Sequence, residues 1–290
     1  MRARLPEPRV PSPVSYTRRV PVDIAAEVIA NTPLSADYNV LALAGPEIAT
    51  LATPGQFIMI KARPGFDPLL RRPFSVFELF RDAAGRPTGF SILNKRVGVS
   101  TALLFEAKVG QKVAVLGPLG RPFTQVDAHT QAWMVAGGVG LAPFAVLAEQ
   151  LRARQVPTTL FYGARSGAEL FYLEFFERLG VRLVLSTEDG SRGEHGRIVA
   201  PLDRALSARP ADARTMIYAC GPEGMLAATA KVAMRHSTPC EVSVERLMGC
   251  GMGGCYSCVV PMIGPDGRTN NVRSCLAGPV LAGDRIAWDR

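Results

Sequence analysis

The stretch that decides the fold reads Trp133-Met134-Val135-Ala136-Gly137-Gly138-Val139-Gly140-Leu141-Ala142-Pro143. Its first four residues are apolar and predict a buried strand, the glycines predict a tight turn, and Pro143 suits the first turn of a following helix. Such a turn lets the backbone approach a phosphate closely. It is not a complete G-x-G-x-x-G pattern, because proline replaces the last glycine, so a generic strand–helix turn stays open as an alternative.

Downstream of this turn, strand-like and helix-like segments alternate as far as residue 239. The strand-like runs are 159–162, 182–186 and 216–219, and the helix-like runs are 143–154, 170–179, 198–206 and 223–234. Alternation of this kind predicts a parallel sheet with crossover helices. We therefore expect an α/β domain over residues 126–239.

Upstream of the turn, the apolar residues follow a different pattern. Short apolar or alternating runs at 40–43, 57–60, 90–93 and 112–116 are separated by turn residues, and one helical stretch, 100–106, interrupts them. Several strands at this spacing predict a small antiparallel β-barrel over residues 21–125. The expected fold class is thus α/β plus β, with a small glycine-rich module over residues 240–290.

Composition and charge limit the possible functions. The chain has 290 residues, of which 48% are hydrophobic and 20% charged, which is enough to build a folded core. The formal net charge is +8, but residues 1–20 hold five arginines against one glutamate. We expect this stretch to be a disordered basic arm. No later block of basic residues with interleaved aromatics appears, so the composition predicts no nucleic-acid partner.

Hydropathy gives no sign of a membrane protein. The arm lacks the apolar core of a secretory signal, and the longest apolar run, 132–148, is short for a span and is interrupted by glycines and a proline. We therefore expect no membrane span and a cytoplasmic location.

The six cysteines are unevenly distributed, since none precedes Cys220 and four follow a distinctive spacing. These four are Cys250, Cys255, Cys258 and Cys275. The pattern C-x4-C-x2-C with a distant fourth cysteine is that of plant-type [2Fe–2S] ligation. Gly251, Gly253 and Gly254 would let the backbone wrap around such a cluster. A structural zinc site, which usually pairs its ligands as C-x2-C twice, and incidental free thiols remain as alternatives.

Two further motifs carry chemistry. Arg72-Pro73-Phe74-Ser75 combines a guanidinium that can pair with a pyrophosphate, an aromatic ring that can stack on a planar cofactor, and a hydroxyl. Read alone, it also fits a solvated strand. Cys220-Gly221-Pro222 follows the last strand of the predicted parallel sheet, where ligands bind in open α/β folds. A merely buried small cysteine is the alternative there.

These motifs, in this order, resemble the ferredoxin–NADP reductase superfamily and, within it, most resemble the electron-transfer subunits of bacterial class 1B dihydroorotate dehydrogenases. The resemblance runs from about residue 21 to the C-terminus. It also rests on Pro54-Gly55-Gln56-Phe57, Gly117-Pro118-Leu119-Gly120, Thr187-Glu188-Asp189-Gly190-Ser191 and Cys275-Leu276-Ala277-Gly278-Pro279-Val280. It implies an FAD-binding barrel (21–125), an NAD-binding domain (126–239) and a [2Fe–2S] module (240–290). It further implies an oxidoreductase of pyrimidine biosynthesis that works with a catalytic redox subunit in a hetero-oligomer.

The resemblance also implies roles for single residues. Arg72 would bind the FAD pyrophosphate, and Pro73, Phe74 and Ser75 would lie near the flavin ring. A phosphate loop would be lined by Gly98, Ser100 and Thr101. The nicotinamide nucleotide would be bound by the two glycine motifs of the α/β domain, namely Gly137, Gly138, Gly140, Cys220, Gly221 and Pro222. The catalytic contacts would be Ser75 and Cys220, and the four spaced cysteines would hold the cluster. Two positions depart from the usual pattern: Gly-Lys-Gly-Thr reads Gly98-Val99-Ser100-Thr101 here, and His195 stands where a lysine is usual.

Two acids after the third parallel strand bear on the choice of nucleotide. Glu188 and Asp189 would repel a 2′-phosphate and accept from a ribose hydroxyl, so they favour NAD over NADP, while Arg192 nearby acts in the other direction. Two other readings remain. One is a reductase subunit of another complex, of the ferredoxin:NADP oxidoreductase or sulfide dehydrogenase type. The other is a zinc-stabilised interaction protein without catalysis.

Overall fold

A computed structural model of the chain describes residues 20–288. The basic arm predicted over residues 1–20 therefore lies, except for Val20, outside the described residues. No helix within the described range has the length and apolar character needed to cross a bilayer.

The N-terminal part folds into one antiparallel sheet. Its elements are β1 (Val22–Pro33), β2 (Tyr38–Ala44), α1 (Pro46–Leu51), β3 (Phe57–Lys61), β4 (Arg72–Ser75), β5 (Leu79–Arg81), β6 (Pro87–Lys95), α2 (Val99–Phe105) and β7 (Lys112–Leu119). The strand order is β4-β3-β7-β1-β2-β6-β5, and each pair is antiparallel. The predicted antiparallel sheet and the helix predicted at 100–106 are confirmed, whereas α1 was not predicted from the sequence.

This sheet is a half-barrel whose two edge strands come from one bent segment of chain. β4 pairs with β3, after which the Phe77 amide donates to the Ser91 carbonyl (2.9 Å) and the Ser91 amide donates to the Glu78 carbonyl (3.0 Å). The chain after β4 thus leaves one edge of the sheet and reaches β6, which lies next to β5 at the opposite edge. Alternate apolar residues, such as Ile58 and Phe90, fill the concave side.

The central part forms a parallel sheet. Its elements are β8 (Thr130–Gly137), α3 (Phe144–Ala153), β9 (Thr158–Ala164), α4 (Leu173–Arg178), β10 (Arg182–Thr187), β11 (Glu194–His195), α5 (Val199–Ser207), β12 (Arg214–Cys220), α6 (Glu223–Arg235) and β13 (Cys240–Ser243). The order β11-β10-β9-β8-β12-β13 is parallel throughout, as predicted. The predicted glycine turn between β8 and α3 is confirmed, and it takes the form of a 3-10 helix, Gly138–Leu141.

The C-terminal part contains a hairpin of β14 (Val259–Ile263) and β15 (Thr269–Arg273), then α7 (Ser274–Ala277) and β16 (Val280–Ala282). β16 adds an antiparallel edge strand to the parallel sheet by pairing with β13. β13 and β16 both lie within residues 240–290. This segment therefore adds two strands to the central sheet and also carries the four spaced cysteines. Val242 and Leu281 bury their side chains there.

One apolar core joins the two large sheets. Val40 and Phe77 of the half-barrel belong to the same buried cluster as Met134 and Phe144 of the α/β part. Phe77 also packs edge-on against Tyr172, with ring centroids 4.6 Å apart. The two sheets are therefore fixed against each other by side-chain packing.

Candidate functional site

The two glycine motifs of the parallel sheet meet at one edge. A Cβ on Gly140 would lie 2.1 Å from the Cys220 carbonyl oxygen, and a Cβ on Gly221 would lie 3.0 Å from the Gly137 nitrogen. The motifs converge because β8 and β12 are parallel neighbours that end together. The predicted residues Gly137, Gly140, Cys220 and Gly221 thus form one crevice at the carboxyl ends of the strands, where open α/β sheets bind ligands.

Cys220 carries a neutral thiol. Burial raises its pKa to about 12, the nearby charge of Glu245 acts in the same direction, and a hydrogen bond with Ser243 opposes them. The side chain is partly exposed. At neutral pH this sulfur is therefore a thiol and not a thiolate nucleophile.

Glu188 and Asp189 lie exposed on the turn after β10, two strands away from β8. Asp189 accepts hydrogen bonds from the Ser191 amide (2.9 Å) and hydroxyl (2.6 Å), which lower its pKa. Its carboxylate is therefore held charged at the strand end. His195 lies one strand further out on β11, exposed at the edge of the sheet.

A cavity of about 590 Å³ opens beside this turn, where the half-barrel meets α4. Its lining residues are Glu78, Leu170, Phe171, Tyr172, Leu173, Glu174, Phe175, Arg178 and Arg192. Burial raises the pKa of Glu78, which accepts from the Ser91 hydroxyl at 2.8 Å. Its lining combines three aromatic rings with two glutamates and two arginines, so both signs of charge face the cavity.

On the half-barrel, the adjacent residues Arg71 and Arg72 have different hydrogen-bond partners. Arg71 forms an ion pair with Asp23 (2.8 Å). Arg72 donates only to the backbone carbonyls of Leu70 (3.0 Å) and Arg71 (3.1 Å), and it has no carboxylate partner among residues 20–288. Its charge is therefore available for an anion. The other predicted residues of β4, namely Pro73, Phe74 and Ser75, are half-buried, and Phe74 packs against the half-barrel core.

The predicted phosphate loop surrounds the start of α2. The Thr101 hydroxyl accepts from the Gly98 amide and donates to the Gly98 carbonyl, both at 2.9 Å, so it caps the helix. The Ser100 hydroxyl is buried and has no hydrogen-bond partner in the described part of the chain. Because an unpaired buried hydroxyl is costly, Ser100 fits a site completed by a bound group, whereas Thr101 has a structural role.

The four spaced cysteines lie in two pairs. Cys255 lies beside Cys250, and Cys275 lies beside Cys258. Within residues 20–288, no three His, Cys, Asp or Glu side chains are grouped around a point that would suit one metal ion. Cys250 of one pair is also close enough to Cys275 of the other to act on its thiol, and four cysteines grouped in this way suit a [2Fe–2S] cluster.

The cysteine loop packs on the half-barrel. A Cβ on Gly251 would lie 2.7 Å from Met59 Cγ, and Met59 pairs with Pro73 across β3 and β4. Arg273 holds the other side of the loop by donating to the Gly253 carbonyl (2.6 Å) and covering the Tyr256 ring (4.4 Å). Sequence reasoning missed Met59 and Arg273, because neither belongs to a recognisable motif.

A bidentate ion pair also joins the cysteine segment to the crevice. Arg246, which precedes Cys250, donates to both carboxylate oxygens of Glu223 at 2.8 and 2.9 Å. The pair raises the pKa of Arg246 and lowers that of Glu223. Glu223 directly follows the Gly221-Pro222 turn, so this ion pair connects that turn with the segment that carries the cysteines. No sequence motif indicated this contact.

The fold and the site together define an NAD-binding oxidoreductase of the ferredoxin–NADP reductase type with an iron–sulfur module. The oxidoreductase NAD-binding domain family matches residues 134–231. The iron-sulfur cluster binding domain of dihydroorotate dehydrogenase B matches residues 245–287.

The chain belongs to the family of the electron transfer subunits of dihydroorotate dehydrogenase B (NAD(+)). A relative with that name from Desulforamulus reducens is 35% identical over 84% of this chain and 90% of its own length. Another, from Geobacillus kaustophilus, is 36% identical over 85% of this chain and 91% of its own. A solved structure of the NADH-dependent reduced ferredoxin-NADP oxidoreductase matches with a TM-score of 0.78 and 26% identity, covering 92% of this chain and 91% of the other.

Proposed function

We propose that this chain moves electrons between NAD(H), FAD and a [2Fe–2S] cluster, and exchanges them with a catalytic subunit that oxidises dihydroorotate. FAD, when bound, supplies the conversion between hydride transfer at the nicotinamide and single-electron transfer at the cluster. The protein supplies binding, orientation and a defined order of sites.

One observation carries this proposal: three candidate sites lie next to each other in the order that the function needs. The turn that carries Gly140, Gly138–Leu141, contacts β6 of the half-barrel. β6 in turn contacts β4, which carries Arg72 without a carboxylate partner among residues 20–288. The cysteine loop packs on Met59 of β3, the strand beside β4. A redox centre held on β4 would thus have the nucleotide on one side and the cluster on the other.

The residues take the following roles in this proposal. Arg72 pairs with the FAD pyrophosphate, and the Ser100 hydroxyl donates to a phosphate oxygen. Phe74 and Ser75 contact the flavin ring.

The three parts of the chain have separate roles. Residues 21–125, which form the half-barrel, bind FAD. Residues 126–239 bind NAD, and residues 240–290 hold the cluster. The charged Asp189, with Glu188, favours a ribose hydroxyl over a 2′-phosphate, and therefore NAD.

A second candidate is the same module in another complex. The match to the NADH-dependent reduced ferredoxin-NADP oxidoreductase over 92% of this chain favours it. The partner decides between the two, because the cysteine loop serves electron transfer only when a second redox protein reaches it. A reducing cytoplasm suits either reading, since the six cysteines among the described residues are free thiols.

The test is to co-express the chain anaerobically with a flavin-containing dihydroorotate dehydrogenase subunit and isolate the complex. We expect one FAD and two irons per copy of this chain, with dihydroorotate-dependent reduction of NAD⁺. Stoichiometric zinc without iron would refute the iron–sulfur assignment. Iron and FAD without any dihydroorotate-dependent reduction of NAD⁺ would favour the second candidate.

A further inference from the structure

A fully buried hydroxyl lies beside the cysteine pairs and has no partner. Ser274 is 0% exposed, and its Oγ makes no hydrogen bond with any described residue. Its backbone is engaged, because its amide donates to the Cys258 carbonyl at 2.8 Å and its carbonyl accepts from the Gly278 amide at 2.9 Å. A buried hydroxyl left without an acceptor is costly, so its position calls for an acceptor that the polypeptide does not provide.

The position of Ser274 indicates what that acceptor is. The residue directly precedes Cys275, and its amide donates to the Cys258 carbonyl, so it adjoins both members of one cysteine pair. The other pair already has a serine contact, since the Ser257 hydroxyl lies 3.1 Å from Cys255 Sγ. Ser274 is therefore the corresponding hydroxyl at the second pair, without a protein acceptor.

We propose that the Ser274 hydroxyl donates a hydrogen bond to a sulfur of the cluster and thereby raises the reduction potential of that cluster. This rests on the [2Fe–2S] assignment in the proposed function. Reduction adds negative charge to the sulfurs, so a donor stabilises the reduced state more than the oxidised one, and hydrogen bonds to sulfur are among the factors that set such potentials. Ser274 is thus a positioning and tuning residue and not a ligand.

The test measures the cluster itself and not turnover. Ser274→Ala is purified anaerobically in the full chain, and the midpoint potential is determined by redox titration followed by electron paramagnetic resonance. We expect unchanged iron content and a cluster about tenfold harder to reduce, which for one electron is a potential ~59 mV lower. The matched control is Ser186→Ala, which removes another buried, unpartnered serine hydroxyl on β10 and should leave the potential unchanged.

A Ser274→Ala potential equal to that of the wild type and of Ser186→Ala would overturn the proposal while leaving the cluster assignment intact. If the alanine variant does not load iron, Ser274→Thr and Ser274→Val replace it, because these side chains have nearly the same shape and differ in the hydroxyl. The valine variant should then be harder to reduce than the threonine variant by the same factor, and equal potentials would overturn the proposal. A wild-type protein without iron would instead contradict the proposed function.

Discussion

Gly251 of the cysteine loop lies against Met59 of the half-barrel, so closely that a Cβ at Gly251 would be 2.7 Å from Met59 Cγ. Met59 is fully buried and pairs with Pro73 on the strand that carries Arg72 and Ser75. The loop is therefore seated one strand away from the proposed flavin strand. This contact joins the C-terminal module to the half-barrel, next to the strand on which we propose that FAD binds.

Gly251→Ala should unseat the loop. Gly251 has φ +72°, a conformation that alanine adopts with strain, and the added Cβ would collide with the fully buried Met59 side chain. We expect a loss of ~1–3 kcal/mol in the free energy of unfolding, together with reduced iron retention. Denaturant unfolding and iron analysis measure these two effects.

The control for this change lies three residues further along the same loop. At Gly254 a Cβ would meet nothing within 4 Å and φ is not positive, so Gly254→Ala should keep its iron and its stability. Equal behaviour of the two alanine variants would mean that the Met59 contact does not hold the loop in place.

Gly140→Ala should block the nucleotide crevice. Its Cβ would lie 2.1 Å from the Cys220 carbonyl oxygen, a backbone atom that cannot rotate away, so the two glycine motifs would have to separate. We expect the rate of flavin reduction by NADH to fall at least about tenfold, which corresponds to ~1.4 kcal/mol, while FAD content stays unchanged. Stopped-flow absorbance measures that rate. Gly224→Ala on α6, where a Cβ has open space, serves as control, and a rate as low in that variant would refute the steric explanation.

Arg72→Ala should weaken FAD binding and leave the cysteine module intact. A charge-assisted hydrogen bond to phosphate contributes roughly 1.5–3 kcal/mol, so we expect FAD affinity to fall about 10- to 150-fold. Flavin content after dilution and gel filtration, with iron content measured in parallel, gives the result. Arg63→Ala is the matched change, because Arg63 is paired with Asp67 in an exposed loop. Full flavin retention in Arg72→Ala would remove Arg72 from the site.

Most elements of the fold were predictable because their signals are local. A single apolar run interrupted by glycines and a proline predicts the strand at 133–136, the glycine turn and the helix after it. The structure has the strand at Thr130–Gly137 and the helix at Phe144–Ala153. Cys240–Ser243 and Val280–Ala282 were assigned from sequence only to a small glycine-rich module. They pair with each other across nearly forty residues, and such non-local pairing leaves no periodic signal in a strand of three or four residues.

The candidate site shows the same limit. The residue types and spacing of the four cysteines pointed to one cluster, but their division into pairs needed coordinates. From the sequence, Ser100 and Thr101 were both predicted to line the phosphate loop. In the structure, the Thr101 hydroxyl caps the helix, whereas the Ser100 hydroxyl has no hydrogen-bond partner among the described residues. The Glu223–Arg246 pair depends on the approach of α6 to the cysteine segment, which no local pattern encodes.

The most direct test of the central claim is Cys255→Ser, assayed in the complex with the dihydroorotate-oxidising partner and compared with Cys240→Ala. Cys240 is buried on β13, outside the two cysteine pairs, and controls for the loss of a thiol. In Cys255→Ser we expect bleaching of the flavin by NADH at a rate near that of the wild type, because the crevice and β4 are unchanged. Partner-dependent turnover should be lost, because the route through the cysteine loop is broken, whereas Cys240→Ala should keep both signals. Parallel loss of both signals in a folded Cys255→Ser protein, or full partner-dependent turnover without the cluster, would contradict the account.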